Sequence, residues 1–177
     1  MHIFVVNHRV PRVQCLFGLN QLAAEHRGCV ASIGNFDGVH LGHQRILRRL
    51  AEVGQAKGQP SLLMTFEPHP KEFFAADAAP ARSMSLRSKL CVLDACGPDR
   101  VLVVRFNQRF ACMQARDFIE EVLVKRLGIS HLIVGDDFRF GRNRGGDFAM
   151  LESEGRCHGF EVERMPRVDF DGERVSS

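Results

Sequence analysis

Between Gly34 and His43 the chain reads GNFDGVHLGH, with three glycines, two histidines and an aspartate ahead of an apolar, arginine-studded run. Glycine lets the main chain approach a bulky anion and take positive φ, and a helix starting near Leu41 would offer unpaired amides and the positive end of its dipole. The stretch therefore suits a phosphate. His40 and His43 are three residues apart, so in a first helical turn both rings can face one point, and Gly42 between them leaves that point open. The expectation is an electropositive cradle of imidazoles and free amides, with the rings donating hydrogen bonds to phosphate oxygens. H-x-x-H by itself reads more readily as a glycine turn with two exposed histidines, because short motifs often match by chance. A zinc site of His40, His43 and His69 has suitable ligand types, but no Cys or further His joins them at zinc-site spacing. Neither G-x-x-x-x-G-K-[ST] nor G-x-G-x-x-G occurs, which argues against a Walker-type kinase or a dinucleotide dehydrogenase.

A second polar loop, VGDDFRFGRNRGG, sets Arg139, Arg142 and Arg144 around Gly141, Gly145 and Gly146. It is either a mobile cationic loop able to hold a polyphosphate or a solvated surface loop. A third, TFEPHP at Thr65 to Pro70, carries prolines that stiffen it. Arg45, Arg48 and Arg49 belong to the helix after the histidines and are expected on its wet face.

These loops need strands and helices to bring them together. Cys29 to Ile33 is a short apolar run followed by glycine, and Ile46, Leu47, Leu50, Ala51 and Val53 then recur at helical spacing until Gly58. Strand Ser61 to Phe66 follows, then a helix capped by Ser85 and stopped at Gly97-Pro98, then strand Val101 to Val104. Gln114 to Leu127 is a helix ending at Gly128, His131 to Val134 a strand, Asp147 to His158 a shorter helix and Phe160 to Met165 a strand. A hairpin with Asp171-Gly172 at its tip is expected at the end. Strand and helix alternating in this way predict an α/β, Rossmann-like fold, a mainly parallel sheet with helices on both faces. Ligands of such sheets bind beyond the carboxyl ends of the strands, where all three loops should meet.

The chain has 177 residues, 45% of them apolar and 25% charged, which suits one soluble domain. Lys and Arg exceed Asp and Glu by only 24 to 21, so no nucleic-acid surface is expected, though a local anion pocket is allowed. MHIFVVNHRV is too short and too interrupted for a signal peptide and no run is long enough to span a membrane, so a cytoplasmic protein without a membrane partner is expected. The six cysteines form no C-x-x-C pair and read as structural thiols.

GNFDGVHLGH closely resembles the H-x-G-H signature of the nucleotidyltransferase superfamily, in the form seen in bacterial FAD synthetases. The resemblance continues through TFEPHP, VGDDFRFGRNRGGDF and the final RVSS, and so spans essentially the whole chain. It implies a transferase that makes FAD and pyrophosphate from ATP and FMN, with Mg2+ accompanying ATP and no metal ligand assigned to the protein. It also implies that His40 and His43 are catalytic phosphate contacts. Gly34, Asn35, Phe36, Asp37, Gly38 and Gly42 would shape the ATP pocket with Asp137, Ser176 and Ser177. Phe66, Phe140 and Arg142 would meet the flavin, while Phe138 packs inward. Phe66 reads as readily as a core residue at the end of a strand. Family members carry either Asn or Asp at the position of Asp137, which leaves its contact open. They continue the terminal serines as S-S-T-x-x-R and carry a following riboflavin kinase module. The expectation is thus that residues 1–177 are an adenylyltransferase domain truncated at its C terminus, without the kinase domain. Two alternatives stand beside this: a non-catalytic flavin- or nucleotide-binding fragment, and another adenylyltransferase acting on phosphopantetheine or nicotinate mononucleotide.

Overall fold

The computed structural model describes residues 13–75 and 84–166. The hairpin expected around Asp171-Gly172 lies outside them. Six strands form one sheet: β1 Gln14–Phe17, β2 Val30–Ile33, β3 Ser61–Glu67, β4 Arg100–Arg105, β5 His131–Gly135 and β6 Glu161–Met165. Their order is β1-β4-β3-β2-β5-β6 and every neighbouring pair is parallel. The chain passes from β2 to β3 on one side and later returns to set β5 on the other, so the connections diverge at β2. A cleft beyond the strand ends at such a point is where ligands of open α/β sheets sit.

Successive strand residues point to opposite faces, and the two faces are buried by different helices. Val30, Leu63, Val101, Val103 and Ile133 join Leu47, Leu50 and Val53 of α1 (Leu41–Lys57) and Leu93 of α3 (Leu86–Cys96) in one core. Ala31, Leu62, Met64, Leu102, Leu132 and Val134 form the other with Ile119, Leu123 and Leu127 and with Leu151 of α6 (Phe148–His158). A short helix α2 (Pro70–Phe74) follows β3, and α4 (Gln108–Ala111) follows β4.

Local signals set most helix ends. Ser85 Oγ accepts from Ser88 N–H at 3.1 Å and Asp147 Oδ1 from Met150 N–H at 2.9 Å, each satisfying an amide that precedes the helical ladder. Gly58 closes α1 in the left-handed region at φ 62°. The helix expected over Gln114 to Leu127 makes one α-turn, α5 (Ala115–Asp117), and continues as a π-helical stretch Phe118–Leu127. Sequence periodicity does not predict β1: its four residues bury only Leu16, and it exists by pairing with β4, from Gln14 beside Arg100 to Phe17 beside Val103. No helix among the described residues is long and apolar enough to cross a membrane.

Candidate active site

The loop between β2 and α1 is bent by its own backbone. Phe36 (φ 50°), Gly38 (φ 75°) and Val39 (φ 38°) all lie at positive φ, a costly state for Phe and above all for β-branched Val. Burial offsets that cost: Phe36 and Val39 are 1% and 3% exposed and pack into the core beneath α1. Polar contacts hold the rest of the loop. The Asn35 carbonyl accepts from Thr65 Oγ1 at 3.0 Å and from Lys89 Nζ at 2.8 Å, and the Val39 carbonyl accepts from Gln44 Nε2 at 3.2 Å. Gly34 has no room for a side chain, because a Cβ there would stand 2.8 Å from the Phe36 ring.

His40 caps α1 in extended conformation, and the ladder begins with Gln44 N–H donating to its carbonyl at 3.0 Å. The amides of Leu41, Gly42 and His43 precede that bond. The rings of His40 and His43 stack with centroids 3.7 Å apart, and the Phe36 ring lies tilted with its centroid 4.7 Å from that of His43. The expected convergence of the two histidines is therefore present. A Cβ on Gly42 would come within 3.2 Å of the His40 ring, so glycine keeps that face clear. Both ring nitrogens of His40 and Nδ1 of His43 are buried without a hydrogen-bond partner. Buried polar atoms are almost always satisfied, so three orphans on two adjacent rings stand out among the described residues.

The electrostatics correct one expectation. Burial pushes His43 down from the ordinary 6.5 to about 4, His40 and Lys89 push the same way, and Asp37 opposes them. Burial lowers His40 as well. At neutral pH both rings are thus neutral, each with one N–H and one lone pair, and the positive charge of the cradle comes from elsewhere. Lys89, buried at 5% exposure, acts electrostatically on His43, and the exposed Arg142 and Arg144 also line the cavity.

The histidines open into a cavity of about 900 Å³ that Gly34, Asn35, Phe36, Gly42, Phe66, Asp137, Phe140 and Arg142 also line. Asp37 and Gly38 stand outside this lining: Gly38 is exposed, and Asp37 acts electrostatically on His43 and His69. Ser176 and Ser177, expected to contact ATP, lie outside the described residues. Opposite the histidines the wall is aromatic. Phe66 meets Phe106 and Phe110 at 5.9 and 5.6 Å, Phe110 meets Phe118 at 6.0 Å, and Phe118 meets Phe140 at 5.6 Å.

Phe140, and not Phe138, is the more deeply buried of these two rings. Phe140 pairs with Gly146 across an antiparallel bridge, which turns its ring inward to 8% exposure; a Cβ on Gly146 would meet that ring at 2.6 Å. Phe138 stacks over it at 5.6 Å and is the more exposed of the pair. Both line the cavity. Arg139 pairs with Asp147 at 3.4 Å, while Arg142 is tied to the scaffold by its amide, which donates to the Met113 carbonyl at 2.8 Å. Arg45 and Arg48 are solvent-facing as expected, but Arg49 reaches β6 and binds Glu163 through Nε and Nη2 at 2.8 and 3.1 Å.

Sequence reasoning missed Lys89, Phe106 and Phe110. The phenylalanines stand four apart straight after a strand, a spacing that could have marked a shared face. Lys89 had no such signal, since a lysine in a capped helix reads as solvated.

The family model for FAD synthetase matches residues 22–177. Among curated relatives, the bifunctional riboflavin kinase/FMN adenylyltransferase of Pseudomonas fluorescens is 50% identical over 165 residues, 93% of this chain and 53% of the relative. The protein of the same name from Escherichia coli K12 is 48% identical over 161 residues, 90% of this chain and 51% of the relative. The chain thus spans about half the length of the curated relatives it matches. A solved structure titled a macrolide-efflux protein of Streptococcus pneumoniae superposes with a TM-score of 0.76 over 93% of this chain and 55% of that one. At 21% identity it speaks for the fold alone.

Proposed function

The chain belongs to the FAD synthetase family, and on that premise we propose that it transfers the adenylyl group of ATP to FMN, releasing pyrophosphate. One observation carries the proposal: a stacked histidine pair with three buried, unpartnered ring nitrogens at the start of α1, facing a phenylalanine wall across one cavity. One side offers donors to a polyphosphate and the other an apolar face to a flat ring.

The chemistry asks little proton transfer of the protein. An oxygen of the ionised FMN phosphate attacks the α-phosphorus of ATP, a phosphoanhydride P–O bond forms, and the bond to the β-phosphate breaks with its electron pair leaving on pyrophosphate. Catalysis then consists of in-line positioning and of donors aimed at the oxygens that gain charge. His40 and His43 would supply such donors together with the first amides of α1, and Arg142 would face the phosphates from the opposite rim. Gly34, Asn35, Phe36 and Gly42 would shape the nucleotide side, with Asp37 and Gly38 acting from behind it and Asp137 lending an acceptor at the far edge. Phe66, Phe138 and Phe140 would meet the flavin. Magnesium would accompany ATP and offset the triphosphate charge. Asp136 and Asp137 are the carboxylates of the cavity lining, and among the described residues no group of three or more His, Cys, Asp or Glu is placed to hold a metal ion.

The relatives' names pair this activity with riboflavin kinase, and we extend that pairing to the protein of which this chain is the adenylyltransferase part. All six cysteines are free thiols, which fits a reducing, cytoplasmic setting. Incubation with ATP, FMN and magnesium tests the reading by chromatography of the products. FAD with stoichiometric pyrophosphate is expected. Quenching of flavin fluorescence without product would leave a binding protein, and absence of flavin affinity would overturn the proposal in favour of another nucleotide acceptor.

A further inference from the structure

We propose that Lys89, which lies on α3 outside the cavity lining, is a positioning residue of the phosphate site: it pins the loop before α1 through the Asn35 carbonyl and supplies a fixed positive charge beside the histidine pair. The contacts form a chain. Lys89 Nζ donates to Asn35 O at 2.8 Å, and Thr65 Oγ1 donates to the same oxygen at 3.0 Å, so both acceptor positions are used and the Asn35–Phe36 peptide is fixed in orientation. That peptide leads into Phe36 at φ 50°, whose ring is 1% exposed and lies 4.7 Å from His43, and His43 in turn stacks on His40 at 3.7 Å. A shift of the Asn35 carbonyl would thus pass through one buried ring to both imidazoles.

The charge has its own consequence. At 5% exposure an ammonium group is costly to bury, and an apolar residue on this face of α3, beside Leu90 and Leu93, would pack without that cost. Lys89 acts electrostatically on His43 and on His69, lowering both. Among the described residues, the other charged or titratable groups acting on these rings are Asp37 from the loop, which opposes the lowering of both, His40 on His43, and Lys71 and Glu72 of α2 on His69. Lys89 therefore favours neutral imidazoles at His43 and His69 and adds positive charge behind the loop that it pins. The kinetic part of the inference rests on the adenylyl-transfer reading. The structural part does not.

The test uses the protein with Lys89→Gln, which keeps a donor for Asn35 but loses the charge, and Lys89→Arg, which keeps both. Histidine titration by NMR without ligand should move His43 upward in Lys89→Gln and leave it near the wild-type value in Lys89→Arg. FAD formation should fall about tenfold in Lys89→Gln, mainly in kcat and in the KM for ATP, and Lys89→Arg should restore it to within about threefold. An unchanged His43 titration in folded Lys89→Gln overturns the proposal, and so does a Lys89→Arg variant no better than Lys89→Gln. If Lys89→Arg fails to fold, the residue belongs to the core and the proposal is equally overturned. If the wild type makes no FAD, the adenylyl-transfer reading fails, while the titration still decides the role of Lys89.

Discussion

His43 and His131 are each 7% exposed and stand at opposite ends of the same sheet, one where β2 hands over to α1 and the other at the first residue of β5. At the lower end, His131 is bracketed by carboxylates: Nε2 is 3.2 Å from Glu163 and Nδ1 3.2 Å from Glu161, the second without hydrogen-bond alignment. Arg49 and Lys57 of α1 in turn hold those carboxylates at 2.8 and 2.9 Å. At the upper end, His43 and His40 face each other, with three of their nitrogens unpartnered. His131 stands between two carboxylates of the chain, whereas three nitrogens of the His40–His43 pair have no partner among the described residues. The contrast teaches that burial of a histidine says little by itself. What sets the two places apart is how much of each ring's polar surroundings the chain itself supplies.

The largest expected effect tests that distinction directly. His43→Ala should lower FAD formation by about 10² to 10³, the loss typical of one donor aimed at a developing anion, with circular dichroism unchanged. His131→Ala should keep turnover within about threefold of wild type. Equal losses in the two variants would erase the contrast.

Next comes acid. His43 is at about 4 when folded against 6.5 ordinarily, so between those values the unfolded chain takes up a proton that the folded chain refuses, and stability rises with pH. Denaturant melts at pH 7 and pH 4 should differ from this source by roughly 3 kcal/mol, and His43→Gln should flatten that window. Glu163 is lowered chiefly by its hydrogen bond to Arg49, and Glu161 by its hydrogen bond to Lys57. Their contribution is present above the ordinary value of 4.5 and is lost as pH falls below it. The two ends of the sheet therefore fail in successive pH windows, and a single shared window would contradict the assignment.

His131→Ala should then cost about 1 to 2 kcal/mol of stability, seen as a lower Tm, because it empties a buried position between two carboxylates. The smallest effect is expected from Arg48→Ala on the wet face of α1, within about 0.5 kcal/mol and without change in kcat.

Much of the upper rim was legible because its signals are local. Glycine before a helix, histidines at adjacent turn positions and prolines after a strand each report a conformation within a few residues of themselves. The alternation of strands and helices likewise carried the parallel sheet. The remainder depends on pairs far apart in the chain. Lys89 meets Asn35 across 54 residues, and nothing near either residue announces it. β1 is a strand only because β4 lies beside it. The order of Phe138 and Phe140 turns on a bridge to Gly146, so local hydrophobicity could not decide which ring goes inward. The charge state of the histidines was also out of reach, since burial, which sets it, is a property of the whole fold.

The bent main chain at Phe36, Gly38 and Val39 is held by residues packed beneath it. The entropy of shaping that loop is thus offset by packing within the fold, and a loop shaped in this way costs a bound ligand less to order. For a ligand of such a surface, the off-rate would report how well the surface fits.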